Sequence, residues 1–186
     1  MSDKSNNVFI SYSQQFWNKC NIKGCNEQKH MYEIAKILAE KIHKHPKLDY
    51  KLATFHKQGS QADILKWVVE ESMDYTGKDG LHLSLHSDGG YKGHGCSCLV
   101  MNKKGEGYKV AQHIYARLSA LTPWSDMGIT ERPELYELRK TPCKAVIVEV
   151  SFHDQHDEAL FIHNQKRFIS DALYVGLLKY YGLKYV

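Results

Sequence analysis

Glu149 ends Ala145-Val-Ile-Val, the most apolar run of the chain. A carboxylate there is costly to bury unless it is paired or functional. His86 closes the alternating segment Gly80-Leu-His-Leu-Ser-Leu-His86, just before Asp88-Gly-Gly, and Glu27 opens a stretch with helical spacing. One imidazole and two carboxylates converging on one place suit a hydrolytic zinc centre. Zinc takes a few N and O ligands and keeps a position for water, and a separate carboxylate accepts that water's proton. Plainer readings stand beside these. His86, one of eleven histidines, reads equally as a strand-end surface residue, and Glu27 as a first-turn acid facing the helix dipole. His82 shares a strand face with His86 and reads as a packed histidine. His153, His156 and His163 read as a solvated face.

The elements that must position these residues follow from hydrophobic periodicity. Residues 7–12, 50–55, 80–86, 96–101 and 145–150 read as strands, and Leu135-Tyr-Glu-Leu138 as a short further strand. Met31, Ile34, Ala35, Leu38 and Ile42 recur at helical spacing over 27–44, and Pro46 closes that helix. Helices are also predicted over 60–75, 107–120 and the C-terminal region 159–180, with Thr122 to Pro133 as a loop. Strands alternating with helices imply one α/β domain with an open, mostly parallel, twisted sheet of about six strands and helices on both faces. Functional groups gather beyond the carboxyl ends of such strands. Ser13-Gln14-Gln15, His86-Ser-Asp and Glu149 all fall there.

The 186 residues suffice for one well-buried domain. A net charge of +4 favours anionic surroundings without choosing among them. No Lys/Arg block is interleaved with aromatics, which argues against nucleic acid. The polar start Met-Ser-Asp-Lys lacks the apolar run of a signal peptide, and no stretch has the length of a membrane span. Synthesis in the cytoplasm, with no membrane insertion, is therefore expected. Five cysteines without export point to reduced, structural thiols. Neither the four-residue gap between Cys20 and Cys25 nor Cys96-Ser-Cys98 has zinc-finger spacing.

Three segments together resemble the zinc-dependent N-acetylmuramoyl-L-alanine amidases of the type 3 family, in the clostridial branch of phage endolysins and autolysins. Ser84-Leu-His86-Ser-Asp is similar to the family's Ser-x-His-x-Asn element, whose His binds zinc. Val146-Ile-Val-Glu149-Val-Ser-Phe152 is similar to its Glu-x-Gly-Phe element, whose Glu is catalytic. Glu27 stands where the family places a glutamate ligand, at the head of the first long helix. Leu121-Thr-Pro-Trp-Ser-Asp-Met-Gly-Ile and Leu135-Tyr-Glu-Leu-Arg139 resemble the same branch, so the likeness runs over nearly the whole chain.

One departure stands out. The family's Gly-His-Gly-Gly after the first strand, with its first ligand histidine, is replaced by Ile10-Ser-Tyr-Ser-Gln-Gln-Phe. The resemblance then implies Gln15 as the third zinc ligand through its carbonyl oxygen, with Gln14 or a water as the alternative. It implies bacterial peptidoglycan as substrate, cut between N-acetylmuramic acid and L-alanine, and action on the wall after release from the cell. Arg139 is expected to meet a peptide carboxylate, and Tyr91, Trp124 and Tyr136 to pack against glycan or peptide. His94, in Lys92-Gly-His-Gly95, is expected on the substrate side. The whole of 1–186 is expected to be the catalytic domain, with no separate wall-binding module. A wall-binding module without catalysis and a zinc peptidase acting on stem peptides are the rival readings.

Overall fold

The computed structural model describes residues 6–90, 93–124 and 127–186. Six strands form one sheet: β1 (Asn7–Tyr12), β2 (Asp49–Leu52), β3 (Leu81–Asp88), β4 (Ser97–Val100), β5 (Gly128–Glu131) and β6 (Lys144–Phe152). Their order is β2-β1-β3-β6-β4-β5. Every neighbouring pair is parallel except β4 with β6. The helices are α1 (Glu27–His43), α2 (Gln61–Thr76), α3 (Glu106–Leu118), α4 (Tyr136–Lys140), α5 (His156–Asn164) and α6 (Lys166–Tyr181). The open, mostly parallel α/β sheet expected from the sequence is the one found.

Alternation decides what each face carries. On β6, Ala145 and Ile147 pack with Leu138 of α4, whereas Val146, Val148 and Val150 join the main core. On β3, Leu81, Leu83 and Leu85 are fully buried in that core, and the intervening His82 and Ser84 turn toward α2 and α4. The sheet therefore has an apolar face under α1, α3 and α6 and a partly polar face under α2 and α4. On the apolar side α3 and α6 come very close. A Cβ added to Gly176 would lie 2.7 Å from the Ile114 Cα, so only glycine permits this approach.

Three expectations are corrected. Leu135 to Leu138 is the start of α4, not a strand: Leu135 and Leu138 have i, i+3 spacing and pack on Ala145 and Ile147 of β6. The loop 122–133 contains an edge strand, β5, paired only with β4. The C-terminal helical region divides at Gln165 into α5 and α6. Among the described residues no helix is long and apolar enough to cross a membrane.

Candidate active site

His86 and Glu149 are register partners on the adjacent strands β3 and β6, so alternation brings both side chains to one face at one rim. The β3–β6 register shifts between His86 and Asp88. Such irregularities re-aim side chains and recur beside active sites. Glu27 arrives from the opposite layer, because a helix that follows β1 starts at the same carboxyl-end rim. Asn26 caps α1 by accepting the Lys29 N–H at 2.8 Å, and the positive helix end favours a carboxylate in its first turn.

The Glu27 carboxylate is buried and fully engaged. Its Oε1 lies 3.2 Å from His86 Nδ1 and accepts from the Ser87 N–H at 3.3 Å. Its Oε2 accepts from Asn18 Nδ2 at 2.8 Å, and the same Asn18 amide donates to Gln15 Oε1 at 2.8 Å. Gln15, Asn18, Glu27, His86 and Glu149 line one cavity of about 390 Å³. Glu149 and Asp88 also line an adjoining cavity of about 330 Å³, with Arg132 and Leu135 on its wall. Glu149 is half-buried, but its Oε2 is shut off from solvent and has no hydrogen-bond partner among the described residues.

Burial would raise Glu27, yet the bonds from His86 and Asn18 hold it below the usual carboxylate range. Burial would lower His86, but its bond to Glu27 and the nearby Glu149 and Glu137 charges carry it up to about 10. Glu149 lacks such a bond. Burial pushes it up to about 8, against the pull of His86 and with a push from Asp88 and Glu27. One carboxylate is thus held ionised while the other holds a proton near neutral pH, the separation that acid–base work requires.

Two residues of this neighbourhood escaped the sequence reading in role. Glu137 on α4 is buried beneath the sheet. Its Oε1 accepts from His82 Nε2 at 3.0 Å, Ser84 Oγ at 3.0 Å and Ser11 Oγ at 3.2 Å, and its Oε2 lies 3.8 Å from His86 Nε2. Despite burial, His82, His86 and Ser84 hold Glu137 down at about 2. A signal existed: His82, Ser84 and His86 share a strand face whose reverse is all leucine, so that face needed a polar partner. His153, expected on a solvated face, is buried in the cavity wall with Nδ1 donating to the Ser87 carbonyl at 2.8 Å. A Cβ at Gly89 would meet its ring at 3.0 Å, which explains a glycine in that turn.

The remaining candidates lie elsewhere. Gln14 Nε2 donates to the Tyr12 carbonyl and its Oε1 accepts the His56 N–H, so both ends of that amide are committed within the fold. Arg139 is exposed and Tyr136 half-buried on α4, and neither lines either cavity; Arg132 lines the one beside Glu149 and Asp88. His94 Nδ1 sits 2.7 Å from Glu158 Oε1, tied to α5. Trp124 packs edge-on against Phe161. Tyr91 lies outside the described residues.

An open α/β sheet with paired carboxylates and an imidazole at its carboxyl-end rim defines a hydrolase architecture. Residues 17–179 match the N-acetylmuramoyl-L-alanine amidase family, and the chain belongs to that family, a class of hydrolases acting on a linear amide. Solved structures of similar fold include the catalytic domain of the amidase CwlV from Bacillus (Paenibacillus) polymyxa. It has a TM-score of 0.81 and 15% identity, over 96% of this chain and 99% of that one. An amidase from Clostridium difficile 630 aligns with a TM-score of 0.75 and 20% identity, over 98% and 100%. The catalytic domain of an endolysin targeting Clostridia difficile gives 0.73 and 19%, over 93% and 97%. An uncharacterized protein of Clostridium perfringens is 37% identical over 76 residues, 39% of this chain and 23% of that protein's length.

Proposed function

We propose that the protein is a zinc-dependent peptidoglycan amidase that cleaves the bond between N-acetylmuramic acid and L-alanine. The observation that carries this reading is the Glu149 carboxylate, whose buried, unpartnered Oε2 belongs to a residue lining the same cavity as Glu27 and His86. The donor set fits the metal. Two N/O ligands on a tetrahedral zinc stand about 3.3 Å apart, and Glu27 Oε1 and His86 Nδ1 are 3.2 Å apart. Glu27 and His86 would hold the ion, with the Gln15 amide oxygen from the same cavity wall as the third protein ligand. When bound, zinc supplies a Lewis acid for the amide carbonyl and lowers the pKa of an attacking water.

The chain's own groups do the rest. With a cation bound in the cavity Glu149 would be ionised; it accepts the proton of the attacking water and returns it to the leaving amine of L-alanine. Glu137 Oε2 stands 3.8 Å behind His86 Nε2 while Nδ1 points at Glu27, the place a carboxylate often takes behind a metal-binding imidazole. Asn18 holds Glu27 and Gln15 in one orientation. The cavity beside Glu149, with Arg132 on its wall, suits an acidic stem peptide. The net charge of +4 suits an anionic wall.

The test is product analysis on purified walls, together with zinc content. An amidase releases lactyl-muramic acid ends and new L-alanine amino termini. New amino termini only inside the stem peptide would make the protein a peptidase, and wall binding without any cleavage would make it a binding module. Gln15→Ala is expected to weaken zinc binding by about 10–100-fold. Full zinc content and full lysis by that variant would remove Gln15 from the site.

A further inference from the structure

A second cluster of metal-binding side chains lies where the loop before α1 meets α1 and α5. Cys25 ends the loop that precedes α1, His30 stands one turn into α1, and His163 sits near the end of α5. One ligand atom from each lies within 4.8 Å of the others. The Cys25 Sγ to His163 Nδ1 distance is 3.7 Å and the His30 Nε2 to His163 Nδ1 distance is 3.2 Å. Around a tetrahedral zinc with ordinary bond lengths, S···N and N···N separations are about 3.5 and 3.3 Å. Two of the three separations therefore already match those an ion would impose, and the third lies within 4.8 Å.

We propose that Cys25, His30 and His163 form a second transition-metal site, of the zinc class, that fastens the 13–26 loop to α1 and α5. A thiolate with two imidazoles is a soft N₂S set that selects zinc or copper over magnesium or calcium. The fourth position faces solvent, since His163 is exposed and Cys25 half-buried, and this gives the ion its entry path. The second ring nitrogen of His30 is oriented by Cys20 Sγ, 3.4 Å from its Nδ1, as a metal-binding imidazole requires. His30 is buried, and the Lys166 charge is felt at its ring. Lys166 is itself paired with Glu33 at 2.7 Å, which offsets its repulsion of a cation. Binding releases the Cys25 thiol proton to solvent and leaves a thiolate on the ion.

The site's place in the fold gives it a task. The loop it fastens carries Asn18, whose amide donates both to Glu27 Oε2 and to the Gln15 amide oxygen in the cavity. The loop is also tied by the Lys19–Asn26 bridge, by the Asn21 N–H on the His153 carbonyl at 2.8 Å, by the Asn21 side chain on the Asp154 carbonyl at 3.0 Å and by His156 on the Asn21 carbonyl at 2.9 Å. A metal link from Cys25 to His163 adds a bond across two elements far apart in sequence.

Cobalt is the probe, because a thiolate ligand gives a near-ultraviolet charge-transfer band that oxygen and nitrogen ligands do not. The chelator-stripped full chain is titrated with cobalt(II), alongside Cys25→Ser, Cys20→Ser and His163→Gln. The wild type and Cys20→Ser are expected to develop the band, saturating at one equivalent and bleached by zinc. Cys25→Ser should lack it, and exposed His163→Gln should bind cobalt about 10–100-fold more weakly. No band in the wild type, or a band that survives Cys25→Ser or vanishes with Cys20→Ser, overturns the assignment. Cobalt bound without the band would leave only the Glu27–His86 centre. The band with no further equivalent bound would leave the thiolate site and remove that centre.

Discussion

Glu149→Gln, prepared as the full chain, is expected to lose wall hydrolysis by about 10²–10⁴-fold, the usual contribution of a general acid–base group. The same variant is expected to be more stable than the wild type once metal is stripped. The Glu149 Oε2 is buried without a partner, and an unsatisfied buried polar atom costs about 1–3 kcal/mol, more when charged. The sign with pH follows from the raised pKa. A carboxyl whose folded value is about 8, against 4.5 unperturbed, contributes stability that is complete below pH 4.5 and lost as pH rises through 8. Glutamine does not titrate. The gap between the two melting temperatures should therefore widen between pH 5 and 8. Thermal melts of the chelated proteins across that range, with lysis assays of the zinc-loaded ones, check both halves. Retained lysis would remove Glu149 from catalysis, and an equal gap at both pH values would remove the burial argument.

Glu137→Ala is expected to cost about 3–5 kcal/mol of stability, because it strips His82 Nε2, Ser84 Oγ and Ser11 Oγ of the buried acceptor they share. Against a total of about 5–15 kcal/mol for a domain, that brings the protein close to unfolding. The chemistry predicts its own rescue. Replacing both partners by apolar groups of similar size, Glu137→Leu with His82→Phe, should cost less than Glu137→Ala alone, since Phe9 already packs against the His82 ring at 5.5 Å. The acid limb gives a second readout. Glu137 is held at about 2, so its contribution is present above the ordinary carboxylate value of 4.5 and disappears as pH falls toward 2. Glu137→Gln should flatten that limb in denaturant titrations. A double variant as unstable as Glu137→Ala would show that the pair is not the source of the cost.

Much of the fold was legible because its signals are local. The helix from Glu27 announces itself by Met31, Ile34, Leu38 and Ile42, all fully buried in the structure. The central strands announce themselves by unbroken or alternating apolar runs. What escaped was what depends on partners. β5 is four residues of Gly-Ile-Thr-Glu at an edge, paired only with β4, too short and polar to stand out from its loop. The reversed direction of β4 leaves no mark on Ser97-Cys-Leu-Val100 itself. α4 is five residues long, and two leucines spaced by three do not alone separate a turn of helix from a strand. In the site, Glu149 was visible because an acid after four apolar residues is locally anomalous. Glu137 sits between tyrosine and leucine in an ordinary amphipathic turn. Its burial follows from the polar face of β3, a strand more than fifty residues away.

β6 is laddered on both sides, to β3 in parallel and to β4 in antiparallel sense. Local opening is rarest where backbone hydrogen bonds are made on two flanks within the core. The amides around Glu149 should therefore be among the last to exchange with deuterium, and those of the 13–26 loop among the first. The carboxylate proposed to move the proton is built on the least yielding part of the molecule, and the amides of Gln15 and Asn18 on one that gives.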